Sequence, residues 1–150
     1  MSNSIQVREL DNLQDQDLGR NIFDITWSMD VGTEITPNLL QAMVHSGSYL
    51  SGAFIENKIV GAAFAFPATN GGLHLHSHMT AVLPEFRDKG VGYALKTDQW
   101  NWAKKKNYSY LSWTFDPLVR RNAKLNIAKL GAALAGAVLF FNKLVFLPLQ

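Results

Sequence analysis

The stretch that most constrains this chain is Ala81–Ala94, AVLPEFRDKGVGYA. A short apolar run stops at Pro84, a basic turn follows as Arg87-Asp88-Lys89-Gly90-Val91-Gly92, and a helix-forming segment begins at once. This order predicts a strand, a loop of phosphate size and a helix start. The first amides of a helix have no intrahelical acceptor and sit at the positive end of the helix dipole, and glycines allow a ligand close to the backbone. An anion fits such a place, with Arg87 and Lys89 adding charge. The plainer reading of the same residues is a tightly packed helix start beside a solvated arginine.

The 150 residues, 47% of them hydrophobic, suffice for one domain with a proper core over 1–150 but not for two. A net charge of +2 gives no general case for nucleic acid binding. The one basic run, Lys104-Lys105-Lys106, falls where a helix ends and complements its dipole. With no cysteine there are no disulfides or thiolate metal sites, which suits a reducing cytoplasm. The N-terminal residues lack the basic and apolar regions of a signal peptide, so a cytoplasmic protein is expected.

Ile5 to Leu10 alternates as a strand. Asp11 and Gln14 have capping-box spacing before a helix carrying Leu18, Ile22 and Ile25. Thr36-Pro37 offers an N-cap and an N1 proline for a second helix with Leu39, Leu40, Met43 and Val44 on one stripe. Tyr49 to Glu56, Ile59 to Phe66 and Leu73 to Val82 read as an antiparallel meander joined at Asn57-Lys58 and Asn70-Gly71-Gly72. A helix from Gly90 carries Val91, Ala94, Leu95 and Trp102, and closes near Lys106 and Asn107. Tyr108 to Phe115 follows as a strand, parallel to the one before the loop because a helical crossover joins them. Asp116-Pro117 breaks it, and Val119 to Leu130 returns to helix.

The order β-α-α-β-β-β-α-β-α-β, a mixed and mostly antiparallel α/β sheet flanked by helices, resembles the GNAT acyltransferase superfamily. Arg87-Asp88-Lys89-Gly90-Val91-Gly92 fits that family's Arg/Gln-x-x-Gly-x-Gly/Ala pattern and is preceded by the usual Val82-x-Pro84. Trp113 to Leu118, Arg121-Asn122-Ala123 and Lys129 to Ala132 look like a less studied branch of such acetyltransferases. The similarity covers residues 1–132. It implies acetyl-CoA as co-substrate, with the pyrophosphate on the amides of Arg87, Asp88, Lys89, Gly90, Val91 and Gly92. It also implies that the pantetheine arm lies along Val82 and Leu83, and that Asn122 is a further pantetheine contact, although an asparagine there can equally be a local cap. The family's oxyanion donor would be a backbone N–H at or next to Val82. Many members carry a tyrosine acid where this chain has Ile127; Tyr93 or Tyr108 are substitutes, or simply packed aromatics.

Transfer of an acetyl group to an amine needs a base. His74, His76 and His78 recur every second residue, which lines three imidazoles along one side of a strand. An imidazole accepts a proton at neutral pH, so His78, nearest the reaction centre, is the first candidate and His76 the second. The same histidines could instead be hydrogen-bonded residues on a partly exposed sheet face. Glu34 and Asp116 are other candidates. The triplet also suggests metal ligation, but no carboxylate lies near it in sequence, and no metal is expected.

After residue 132 the chain continues as a nearly uncharged segment, divergent or truncated relative to the family. Its Leu130–Phe141 run is shorter than the ~20 residues of a membrane span. An edge strand or a hairpin turning at Asn142-Lys143 is expected there, and its apolar residues would favour a homodimer or another covering partner. The sequence thus points to direct transfer from acetyl-CoA to the amine of a small molecule or peptide. An acyl-CoA-binding protein without turnover and a protein-interaction module remain as alternatives. The acceptor pocket would come from residues 18–50, including Trp27 and His45.

Overall fold

The computed structural model describes residues 4–27, 34–115, 133–134 and 143–148. In chain order the elements are β1 (Gln6–Glu9), α1 (Leu13–Trp27), α2 (Pro37–His45), β2 (Tyr49–Ile55), β3 (Lys58–Ala68), β4 (His74–Val82), α3 (Val91–Lys105), β5 (Tyr110–Phe115), β6 (Ala133–Leu134) and β7 (Lys143–Pro148). They build one seven-stranded sheet ordered β1-β2-β3-β4-β5-β7-β6, in which every pairing is antiparallel except β4 with β5. The mixed α/β architecture is therefore the expected one. The helix expected over 119–130, together with Asp116, Asn122 and Ile127, lies outside the described residues.

Local chemistry sets the element boundaries, often one residue from the sequence reading. The α1 cap is Asn12 with Asp15, whose N–H donates to Asn12 Oδ1 at 2.9 Å, and not Asp11 with Gln14. Ile22 is buried as read, but Leu18 and Ile25 face outward, and α1 buries Gly19 and Phe23 in their place. The α2 start is as read: Thr36 Oγ1 accepts from the Leu39 N–H, and Pro37 opens the helix, although Leu39 is exposed. The β2–β3 turn is Glu56-Asn57, both with positive φ, because Ile55 pairs with Lys58. Lys143, expected in a turn, belongs to β7, which pairs with β5 on one side and β6 on the other. A strand pair is present in this segment, but the connection between its strands lies outside the described residues.

Two apolar layers cover the sheet. On one face α1 and α2 bury Leu10, Ile22, Phe23, Leu40, Phe64, Met79 and Ala81. On the other, α3 packs Val91, Leu95 and Ala103 against Val60, Ala63, Ala65, Leu75, Leu111 and Trp113. Gly61 lets α3 sit close: a Cβ there would stand 2.9 Å from the Ala81 carbonyl oxygen, 3.0 Å from Val91 Cγ1 and 3.1 Å from Leu95 Cδ1. Across the sheet, the Tyr49 hydroxyl donates to Asp98 Oδ2 at 2.7 Å and Ser51 Oγ donates to the same oxygen at 3.3 Å, tying α3 to β2. Burial, followed by the nearby Asp98 charge, raises the Tyr49 pKa, so Tyr49 stays a donor. Among the described residues no helix is long and apolar enough to cross a membrane.

Gly61→Ala should lower the free energy of urea unfolding by about 1–3 kcal/mol, because the crowding atom is a backbone oxygen that cannot step aside. An unchanged midpoint would show that α3 is free to back away from β3.

Candidate active site

The loop after β4 is built to place the start of α3. Pro84–Phe86 forms a single 3-10 turn, Asp88 has φ 62°, and Gly90 caps α3 at φ 87°, a conformation that favours glycine. The first helical bond from the cap runs from the Ala94 N–H to the Gly90 carbonyl at 2.9 Å. The amides of Val91, Gly92 and Tyr93 therefore precede the helical ladder, at the positive end of the dipole. Lys89 and Lys58 both hold their ammonium groups 5.3 Å from the Phe86 ring, while Glu85 and Asp88 are exposed nearby. Arg87 folds back, its Nε–H donating to the Val82 carbonyl at 3.2 Å.

The β4–β5 pair opens next to this loop. Its parallel register covers only Leu75 with Leu111 and His76 with Ser112, yet β4 runs on to Val82 and β5 to Phe115. Beyond that register no further rung joins the two strands, and the unpaired stretch is the opening of a V. The β3–β4 pairing is also irregular, passing from Phe64–Met79 to Ala65–Ser77, so His78 is an extra residue in a bulge. The Leu83 N–H is committed to the Val60 carbonyl at 2.9 Å. By antiparallel alternation, the backbone groups of Val82 and Thr80 point the other way, into the V. Of the two residues read as the pantetheine edge, Val82 therefore offers its backbone to the opening and Leu83 does not.

The histidines do share a face, that of α1 and α2. The His78 ring is exposed and lies 5.6 Å from the Phe66 ring and 6.4 Å from that of Phe64. His76 packs 5.3 Å from Phe66, and its Nδ1 is 2.8 Å from Ser112 Oγ at the last rung before the opening. Burial, then the fields of His78, His74 and Lys96, lower its pKa, so His76 is neutral at pH 7. His74 is spent on structure: it stacks on Tyr110 at 4.4 Å, and its Nδ1–H donates to the Gly72 carbonyl at 2.8 Å. Among the described residues no three His, Cys, Asp or Glu side chains gather to hold a metal ion.

The opposite face holds a polar cluster that the sequence reading missed. Lys96 of α3 is buried, donates to Ser77 Oγ at 2.6 Å and to Gln99 Oε1 at 3.4 Å, and sits 4.7 Å from the Trp113 ring. Ser77 and Trp113 are the first residues past the last β4–β5 rung, so Lys96 lies over the apex of the V on the α3 face. Gln99 Nε2 and Trp113 Nε1 beside it, and Thr80 Oγ1 of β4, are buried with no hydrogen-bond partner among the described residues. A helical wheel carries the signal: Lys96 stands three residues before Gln99 and seven before Ala103, on the buried side of α3. The tyrosines read as substitute acids are elsewhere. Tyr93 is exposed on the first turn of α3, and Tyr108 stacks on Trp102 at the closed end of the strand pair, ahead of β5. Glu34 and His45 are exposed near α2, and Trp27 lies against Phe23.

An open strand pair beside a helix start defines an acyltransferase fold, and comparison agrees. Residues 16–131 match the model of the acetyltransferase (GNAT) family, and the chain belongs to that family. Curated protein sequences gave no significant match. Among solved structures, the ribosomal-protein-S18-alanine N-acetyltransferase of Escherichia coli is similar at TM-score 0.77 and 13% identity, over 98% of this chain and 95% of that one. The PaiA N-acetyltransferase of Thermoplasma acidophilum, in complex with coenzyme A, is similar at TM-score 0.73 and 13% identity over 97% and 99%. An acetyltransferase of the GNAT family from Streptococcus pneumoniae gives 0.74 and 15% over 95% and 97%. At such identities the likeness concerns the fold, and family and fold together support acyl transfer as the class of chemistry.

Burial brings the Lys96 pKa down from the ordinary lysine value to about 7. Because the folded value lies below the unfolded one, the unfolded chain binds more protons between the two, and the folded state gains stability as pH rises through that window. The stability of Lys96→Met relative to the parent, measured by urea unfolding, should therefore be highest below about pH 7 and fall toward pH 10. A constant difference over that range would mean that Lys96 titrates as a solvated lysine.

Proposed function

We propose that the chain binds acetyl-CoA between the start of α3 and the open arms of β4 and β5, and transfers the acetyl group directly to a primary amine. The observation that carries this reading is the end of the β4–β5 register at His76–Ser112, beside the unladdered amides of α3. The residues present fit the donor. The amides from Asp88 to Gly92 can receive a pyrophosphate, and Lys89 supplies positive charge beside them. The backbone of Thr80 and Val82 can pair with an amide-bearing arm, and Arg87 fixes the Val82 end of that edge. Acetyl-CoA supplies an activated acyl group as a thioester. The Thermoplasma relative, solved with coenzyme A, supports the assignment by likeness of fold.

The acceptor amine enters from the α1–α2 face, where His78 is exposed in its bulge. A primary amine is an ammonium at neutral pH, with a pKa near ~10.4, and must lose a proton before it can attack. His78 takes that proton directly or through water. His76, neutral and held by Ser112, stands behind it as the second candidate. The oxygen that gains negative charge is received by a backbone N–H near Val82, on the strand edge that the V leaves open. The acceptor is the amine of a small molecule or a peptide.

His78→Gln should lower kcat by about 10²-fold, with the Kd for acetyl-CoA by calorimetry within a few-fold of the parent. His76→Gln should have a smaller effect. Calorimetry that detects no binding of any CoA thioester would overturn the whole reading. Binding without release of free CoA across a panel of amines would leave a non-catalytic acyl-CoA carrier.

A further inference from the structure

The polar cluster under the V has no structural need that explains it. An apolar side chain at position 96 would pack against Trp113 and the core without requiring Ser77 or Gln99 as partners. Instead a buried amine touches both arms where they part, with Ser77 on one side and Trp113 on the other. Two further N–H donors beside it, Gln99 Nε2 and Trp113 Nε1, are buried and lack an acceptor among the described residues. Three donors around one apex, two of them unspent, form a receptor for an electron-rich atom entering between the arms.

We propose that Lys96 is the proton donor to the leaving sulfur, and that the side-chain N–H groups of Gln99 and Trp113 complete a thiolate-receiving pocket with it. This rests on the acetyl-CoA reading above. As the amine nitrogen bonds to the acetyl carbon, the carbon–sulfur bond breaks and its electron pair goes to sulfur. The Lys96 ammonium then passes one proton to that sulfur, giving the thiol and a neutral amine. The acceptor ammonium has by then given its first proton through His78 to solvent, and the second, lost as the amide nitrogen forms, resides on His78. Solvent afterwards removes it from His78 and returns one to Lys96, so the cycle closes without another reactant.

The surroundings suit an amine that changes charge. Burial holds it near neutrality in its titration. Of the titratable groups on the elements packed against α3, His76 of β4 is within electrostatic reach of Lys96. Asp98, two residues along the helix, is turned to Tyr49 and Ser51 of β2. Glu9 of β1 acts on Tyr49. The facing residues of β3 and β5, namely Ala63, Ala65, Leu111 and Trp113, carry no charge.

The test compares free CoA with desulfo-CoA, which lacks the thiol, by calorimetry on the full chain. The parent should bind CoA about tenfold tighter than desulfo-CoA, as a charge-assisted contact to sulfur requires. Lys96→Met should abolish that preference while still binding desulfo-CoA, and kcat should fall about 10²-fold. Lys96→Arg keeps the charge but cannot give up a proton, so it should retain part of the preference for CoA yet stay impaired in turnover. If Lys96→Met does not fold, the parent's preference for CoA over desulfo-CoA and the Lys96→Arg variant still decide the question. Equal affinity of the parent for both ligands, or Lys96→Met turnover within twofold of the parent, would overturn the proposal while leaving acetyl-CoA binding intact. No binding of either ligand would instead overturn the acetyl-CoA reading.

Discussion

Everything distinctive in this fold depends on how briefly β4 and β5 pair. The bulge at His78 bends β4 just beyond the last rung, and the buried Lys96 stands between the first residues of the two arms. A bulge adds local twist and ends regular pairing. The backbone groups of Thr80 and the N–H of Val82 are thereby denied the strand that would have satisfied them, while the Val82 carbonyl accepts from the Arg87 Nε–H. Inside a protein such groups need some partner, so a split sheet is already a demand for a ligand with amide-like chemistry.

The helix that follows answers to the same constraint. To bring its first amides beside the open edge, α3 must lie close against β3, and Gly61 removes the one Cβ that would prevent it. Tyr49 and Ser51 then fix its rotation through Asp98. A hydrogen bond to a charged group contributes about 1.5–3 kcal/mol, and leaving a buried donor unsatisfied costs about 1–3. The clamp at Asp98 is thus of the same size as the cost of the unspent donors at Gln99 or Trp113. Stability gained where α3 meets β2 sustains a polar cluster where it meets β4 and β5, the usual trade between a site and its scaffold.

The fold was legible wherever local chemistry sets it. Thr36-Pro37, the Gly90 helix start and the parallel β5 follow from capping, glycine conformation and crossover geometry, and the structure has them. Boundaries moved where two residues competed for one role, as Asn12 did with Asp11, or where a turn needed two positive φ values, as at Glu56-Asn57. The common face of the three histidines follows from the period of a strand. Their unequal standing does not, because it comes from a bulge and from partners such as Gly72, Tyr110 and Ser112. Lys96 was illegible for a related reason: one lysine in an amphipathic helix looks solvated until its neighbours on the wheel prove buried. The membership of the acetyltransferase (GNAT) family was carried by the loop, whose pattern is local; the polar cluster depends on contacts nineteen residues apart, from Ser77 to Lys96.

The two faces of the sheet divide the proposed proton traffic. His76 and His78 lie on the α1–α2 face and Lys96 on the α3 face, with only the opening of the V between them. A base and an acid on the same side could exchange a proton with each other and leave the reactants unchanged. Separated by a sheet whose core is apolar, they communicate through the reacting atoms that span the opening. The field between them still acts: after burial and the neighbouring histidines, a protonated Lys96 further lowers the pKa of His76. In the proposed reaction the split would therefore do more than admit a donor, because it would set the direction in which charge moves, from the amine side to the sulfur side.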